Sequence, residues 1–433
     1  MLCAALFASL MSGCSTEAEK PGPELDRPNV IVVLIDTLRK DHLHHYGYER
    51  ETSDTMDELA EQGWVYENHI ASASQTVPST LTMMLSMLPA EHGFQHFRNY
   101  QFIENPPVYP QEFTFLPEVF QAAGYRTAGF VGNPFLQEST GFRQGFDEFL
   151  YSFERGYTLT KPAMEWLEES VSDPQPSFLY LHYFDVHWPY NPVAPFLAKF
   201  PPPIDGRPVY FNGKVSGIEP QDLQTSVDLY DGEIAYVDQQ IKQIVRTLKK
   251  LKIRKDTILV ITSDHGEEFM EHGGLGHGTN VYGGLVRVPL MIVAPGRLEP
   301  GRRVDHLTHH IDLAPTLLEL AGLPPEDSFR GSNLNEPSSQ AFAETGPWRG
   351  VYRGNRKLIV NLATRTTELF ALDDELDLTP LQEDSSQMLG LLQHYLALEP
   401  DAAATSVGST TSEWSQEELE RLRAAGYLEG DGR

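Results

Sequence analysis

The chain has 433 residues, with 61 acidic against 33 basic side chains and a formal charge of −28. Forty per cent of the residues are apolar and 10% are aromatic, which is enough for a sizeable core, excludes disorder throughout and fits one large or two medium domains. A surface this negative repels nucleic-acid backbones, whose binding depends on Lys and Arg displacing counterions, so no nucleic-acid partner is expected.

The cysteines are Cys3 and Cys14, so no disulfide, cysteine metal cage or thiol nucleophile is expected downstream. The apolar run from Leu2 to Met11, closed by Ser12-Gly13-Cys14, resembles a bacterial lipoprotein signal that is cleaved ahead of Cys14, whose thiol then takes up lipid. An ordinary cleaved signal peptide is the other reading. Both predict an exported chain, the first in the periplasm or at the outer membrane and attached to a membrane through Cys14. Residues 15–28, with Pro21, Gly22 and Pro23 among charged neighbours, read as a flexible tether. No later stretch approaches the roughly 20 apolar residues of a membrane span.

Asn29-Val-Ile-Val-Val-Leu-Ile35 is a continuous β-branched run, the pattern of a strand covered on both faces. Similar runs are Arg126 to Val131, Ser177 to His182, Thr257 to Thr262 and Pro289 to Val293. Helical spacing separates them, most clearly from Ser226 to Leu251, where Ile234, Val237, Ile241, Ile244, Val245 and Leu248 recur at three- and four-residue steps. The alternation predicts an α/β fold with a largely parallel central sheet sandwiched by helices, spanning residues 29–334. Four short segments, Ala341–Glu344, Arg349–Tyr352, Lys357–Val360 and Glu368–Leu372, predict a small antiparallel β subdomain with helices over residues 335–399. Residues 400–433 read as a mobile tail with a terminal helix from Gln416 to Ala425.

Ligands of open α/β sheets bind beyond the carboxyl ends of the strands. Asp36 follows the first run, Asp264-His265 follows the run ending at Ser263, and His187 lies a short loop beyond His182. Two carboxylates with imidazoles at one sheet edge suit a divalent ion, although an Asp after a strand also serves as a turn former or cap. Ser74-Gln-Thr-Val-Pro-Ser-Thr80 leads into an apolar run, which places Thr76 near a helix start. Thr76 either caps that helix or acts as a metal-activated nucleophile, and Ser79 is the rival hydroxyl. Arg39 pairs with a site carboxylate or with an ordinary surface partner. Asp41-His-Leu-His-His45 reads as a solvated loop, and His306, His309 and His310 as capping or surface residues. Trp188 and Tyr190 either stack on a sugar or aryl group or pack the loop.

Several segments, in order, resemble the sulfatase family of the alkaline phosphatase superfamily. They are Pro28 to Arg39, Thr76-Val-Pro-Ser79, Gly124-Tyr-Arg-Thr-Ala128 with Gly145-Phe-Asp147, Leu181 to Tyr190, Ser263-Asp-His-Gly-Glu267, Arg287-Val-Pro289 and His310 to Thr316. The resemblance implies an alkaline-phosphatase-like core, with Asp36, Asp264 and His265 as metal ligands and Thr76 at the nucleophile position. Sulfatases carry Cys-x-Pro-Ser-Arg, or a Ser variant, and oxidise the first residue to formylglycine, for which Thr is not a substrate. Here Thr37 replaces the second Asp of the family's pair, Gly132-Asn133-Pro-Phe-Leu136 replaces its Lys-Trp-His-Leu-Gly, and His277 stands at its Gly-Lys-Gly lysine.

What remains is similar to the phosphoethanolamine and lipoteichoic-acid phosphotransferases and related phosphodiesterases. That likeness implies one divalent ion (Zn, Mn or Ca), or two, with Thr76 among its ligands. Catalysis would fall to Thr76, His187 and His277, and substrate binding to Arg39, Asn133, His187 and His277. The expected activity is hydrolysis or transfer of a small-molecule, glycan or lipid-headgroup phosphoester through Thr76. A sulfuric ester hydrolase working without formylglycine and an inactive lipid-anchored binding protein are the alternatives.

Overall fold

Alternate residues of β1 (Asn29–Ile35) enter two separate cores, which is why the strand is apolar throughout. Val30, Val32 and Leu34 join Val77, Leu81, Phe120 and Leu317 on one face. Ile31, Val33 and Ile35 join Met56, Trp166, Ile234, Val237 and Ile241 on the other. The first layer comprises helices Thr76–Leu85, Leu116–Ala122 and Leu313–Leu320; the second comprises Asp54–Ala60, Tyr157–Ser170 and the long Pro220–Lys250 helix. The computed structural model describes residues 27–94, 108–109, 111–203 and 219–398, together with Gln416 and Glu420. Cys14, the signal and most of the tether and tail therefore lie outside the described residues. Among the described residues no helix is long and apolar enough to cross a membrane.

The main sheet adds β2 (Trp64–Ile70), β3 (Arg126–Val131), β4 (Glu148–Tyr151), β5 (Ser177–Tyr183) and β6 (Thr257–Thr262). After a short hairpin of β7 (Glu268–Phe269) and β8 (Leu275–Gly276), β9 (Leu290–Val293) and β10 (Arg302–His309) complete it. Its order is β10-β2-β9-β6-β1-β5-β3-β4, and within it β9 alone runs antiparallel. The fold is the expected α/β sandwich with a largely parallel sheet. Strands β2, β4 and β10 escape apolar-run reading because Glu67, Asn68 and His69 interrupt β2, β4 is a short edge, and β10 is the other edge, with Arg302, Arg303 and Asp305 exposed. The long helix starts six residues before its apolar spacing does. Pro220 occupies its first turn, and the Asp222 carboxylate accepts the Glu219 N–H at 3.0 Å.

The second sheet is an antiparallel meander of β11 (Ala341–Thr345), β12 (Trp348–Arg353), β13 (Arg356–Asn361) and β14 (Thr366–Ala371). Helix Ser386–Leu396 packs on it through Met388, Leu392 and Tyr395. The Glu344 N–H donates to Ser72 O at 2.9 Å, tying the small sheet to the segment just ahead of Thr76. Lys357 and Asp377, both buried, form an ion pair, and Asp377 also accepts the Gly283 N–H at 2.8 Å. Asp377→Ala strands a buried ammonium and an amide together, and is expected to cost about 3–5 kcal/mol. Chemical denaturation checks this, with the double variant Lys357→Met/Asp377→Leu regaining most of the loss.

Candidate active site

Three strands deliver the site. Asp36 follows β1, Asp264 and His265 follow β6, and His182 lies within β5, all four fully buried. Parallel pairing of β1 with both β5 and β6 aligns these ends, so the side chains meet with no long-range search by loops. One oxygen of each of Asp36 and Asp264 with one nitrogen of His265 lie within 4.8 Å of one another. Thr76 opens its helix from the other side and sets its Oγ1 3.4 Å from His265 Nε2. Asn133, in the loop after β3, donates through Nδ2 to Asp36 Oδ2 at 2.7 Å and to Thr76 Oγ1 at 3.3 Å.

Donor chemistry favours a cation among these groups. Asp36 Oδ1 and Asp264 Oδ2 are buried without a hydrogen-bond partner. Gly266 O can only accept, so His265 Nδ1 carries the proton in their 2.9 Å bond and Nε2 keeps a lone pair facing the carboxylates. Burial drives both Asp36 and Asp264 upward, and their proximity raises Asp264 further. Burial and neighbouring His277 pull His265 down to about 4. Two oxygens and a neutral imidazole form a set that fits a divalent ion such as Zn or Mn. Among the described residues this is the one such group of three, and His187 and His277 do not form a second.

His277 and His187 border this centre. The His277 ring lies 4.5 Å from the His265 ring and 4.8 Å from that of His187, centroid to centroid. Burial works against the His277 cation, but Glu267 accepts from His277 Nδ1 at 2.8 Å and the net shift is upward. Glu267 is itself held by the Tyr190 hydroxyl at 2.8 Å. His187 moves the opposite way, lowered by burial and by His277, and its Nδ1–H donates to Trp188 O.

The remaining candidates lie elsewhere or serve other groups. Arg39, expected to grip substrate, is buried and engaged by Asp41 at 2.7 and 2.9 Å, Glu271 at 2.6 Å and Glu267 O at 3.0 Å, so its fork is filled by this chain's own acceptors. Ser79 donates to Asp264 O at 2.6 Å and meets His310 Nδ1 at 3.0 Å, which makes it a brace behind the metal group and leaves Thr76 as the hydroxyl at its face. Thr37 is held at φ 58° with its hydroxyl on Val186 O, and its N–H meets Asp264 Oδ1 at 3.3 Å. His42 is buried against Asp231 at 2.8 Å, not solvated, and His309 and His310 are likewise interior. Sequence reasoning passed over two members of the site. His182 lies 3.1 Å from Asp36 Oδ2, and its one signal was an imidazole inside an apolar strand. Glu267 had the weaker signal of a carboxylate two residues after His265.

The sulfatase family model matches residues 28–323. Iduronate 2-sulfatase of Mus musculus is 24% identical over 391 residues, covering 69% of this chain and 69% of that protein. Arylsulfatase of Clostridium perfringens is 23% identical over 402 residues, covering 76% and 81%. Among solved structures, BT4656 in complex with its substrate D-glucosamine-2-N,6-O-disulfate aligns with a TM-score of 0.74 at 18% identity, covering 87% of this chain and 99% of that one. The phosphonate monoester hydrolase of Agrobacterium radiobacter aligns with a TM-score of 0.70 at 22% identity, covering 86% and 95%.

Because both carboxyls must ionise to take a cation, divalent-metal affinity is expected to weaken as pH falls from 8 to 6. Asp264→Asn should lower affinity about 100-fold or more at pH 8. Titration calorimetry with Zn and Mn on the metal-stripped protein measures both effects.

Proposed function

The chain belongs to the sulfatase family, and from that premise we propose that it is an exported, metal-dependent ester hydrolase or transferase that attacks a phosphoester with Thr76. The observation that carries this reading is the Thr76 hydroxyl, 3.4 Å from His265 Nε2 and beside two carboxylates with unpartnered oxygens. Formylglycine chemistry needs Cys or Ser at this position, so Thr76 favours phosphoryl over sulfuryl transfer. Similarity of fold to a phosphonate monoester hydrolase supports a phosphorus centre. The substrate is a small-molecule, glycan or lipid-headgroup ester, met outside the cytoplasm by a chain tethered through a lipid on Cys14.

Asp36, Asp264 and His265 would hold one divalent ion (Zn, Mn or Ca) next to Thr76. When bound, that ion supplies the positive charge that lets the hydroxyl lose its proton near neutral pH and offsets the charge of the ester. Asn133 fixes Thr76 against Asp36, which limits the hydroxyl to a narrow range of approach. Thr76 Oγ attacks phosphorus opposite the leaving oxygen. The new P–O bond forms as the ester P–O bond breaks, and the leaving oxygen takes a proton from His277. Water or an acceptor hydroxyl then displaces Thr76 from phosphorus. Neutral His187, with Nε2 bearing a lone pair, accepts the proton of that second nucleophile; the departing Thr76 oxygen and His277 each regain a proton from solvent, to which the first Thr76 proton and that of His187 are released.

Thr76→Ala is expected to keep the metal, by elemental analysis, and to lose about 1,000-fold or more of the wild-type rate on bis(4-nitrophenyl) phosphate. Faster wild-type cleavage of 4-nitrophenyl sulfate would overturn the phosphoester assignment in favour of a sulfuric ester hydrolase. Absence of turnover with either ester in the metal-loaded protein would point to a binding protein.

His277 must be protonated to donate, and its pKa is raised. Activity should therefore be present below that raised value and decline as pH climbs through it. Glu267→Gln removes the carboxylate that holds the proton, so the alkaline limb of the kcat profile should move to lower pH.

A further inference from the structure

Rings continue outward from the reaction centre. His187 stacks on Phe184 at 4.2 Å between centroids and 20° between planes, and Phe184 meets Phe153 at 5.2 Å. His187, Phe184 and Phe153 form one wall of a cavity of about 470 Å³, whose lining also includes Glu154, Arg155, Tyr157, Asp185, Asn191 and Glu233. That volume suits one or two rings. His187 borders both the reaction centre, 4.8 Å from the His277 ring, and this cavity, so a group departing past His187 would meet it.

Charge narrows the occupant. Among the described residues the cavity's one Lys or Arg is Arg155, occupied by both oxygens of Glu233 at 2.8 Å and by Asn191 O. Arg155 is shared by Glu233 and Asp185, whose carboxyls burial raises to about 7 and about 6, so Glu154 is the carboxylate that adds negative charge beside the aromatic wall. Glu154 is exposed at the rim, while Asp185 is buried and 3.7 Å from Arg155. Carboxylate and amide oxygens accept hydrogen bonds from hydroxyls, aromatic faces take the apolar side of a ring, and like charge disfavours an anionic group. Tyr157, 56% exposed, lines this cavity and also a second one of about 480 Å³ between its own helix and the long helix.

We infer that this cavity is the leaving-group subsite and that it takes an uncharged, hydroxylated ring, rejecting one that carries a second anionic group. The inference rests on Thr76 chemistry only for the direction of departure. Binding of the ring itself needs no turnover, so the two are tested apart.

Titration calorimetry compares phenyl β-glucoside with phenyl β-glucuronide, which differ by one carboxylate. The wild type should bind the glucoside about tenfold more tightly. Glu154→Gln should shrink that preference, and Glu154→Lys should reduce it to about threefold or less. Tyr157→Ala should weaken the glucoside about fivefold, with circular dichroism confirming that each variant is folded. Equal or tighter binding of the glucuronide by the wild type overturns the proposal. So does silence of the calorimeter with both sugars at about 10 mM, or folded variants whose constants match the wild type. If the glucoside preference appears while Thr76→Ala retains full activity, the subsite stands and the nucleophile assignment is the one that fails.

Discussion

Two buried carboxylates that do not satisfy each other govern this molecule. Asp36 and Asp264 arrive at neighbouring strand ends with one oxygen each left unpartnered, in surroundings that penalise negative charge. Such a pair either holds protons or could hold a cation, and the surrounding geometry fits the second. His182 and Asn133 occupy Asp36 Oδ2, and the His265 and Thr37 amides occupy Asp264 Oδ1, so the free oxygens are fixed in direction. The His265 ring is turned by its bond to Gly266 O so that its lone pair faces the same space. A surface metal site tolerates rotation of its ligands; here every ligand has its second atom tied down.

The small C-terminal sheet belongs to the same construction. Its loop from Asp373 to Leu378 buttresses the segment that carries Glu267 and His277. Asp377 takes the Gly283 N–H, and Leu376 O takes His272 Nε2. Arg287 adds a bond to Leu372 O. A Cβ at Gly283 would lie 1.7 Å from Glu375 O, so this contact admits no side chain at all. The proton donor of the proposed reaction is therefore positioned partly by a sheet that contributes no residue to the metal group.

Strand-end logic made much of the site legible. Asp36 and Asp264 stand at strand ends that apolar runs mark clearly, and sheet register brings those two together, whereas Thr76 reaches them at the start of a helix on the other side. His182 was hidden because a residue inside a buried strand reads as packing, and only the register of β5 against β1 reveals that it faces Asp36. Arg39 is legible only in part: Asp41, two residues on, takes its Nε and Nη2, but Glu271 is 232 positions away and no local pattern carries that second pairing. Edge strands β4 and β10 were invisible for a simpler cause, since one-sided burial leaves them short or mixed in polarity.

Replacement of an oxidisable residue by Thr has consequences beyond position 76. A hydrated aldehyde offers two hydroxyls, so one can attack while the other later expels the bound group; a threonine that carried the group through its one ester oxygen would have no such second hydroxyl. In the proposed reaction release would then come from outside, through water or an acceptor delivered opposite Thr76, which calls for a neutral base in that step and a charged acid in the first. Two imidazoles 4.8 Å apart with opposite tendencies meet this need. Glu267 raises the pKa of His277 against the cost of burial, while burial and the neighbouring His277 lower that of His187. The asymmetry comes from a single carboxylate placed against one ring and not the other, and in the proposed reaction it suits one imidazole to donate a proton and the other to accept one.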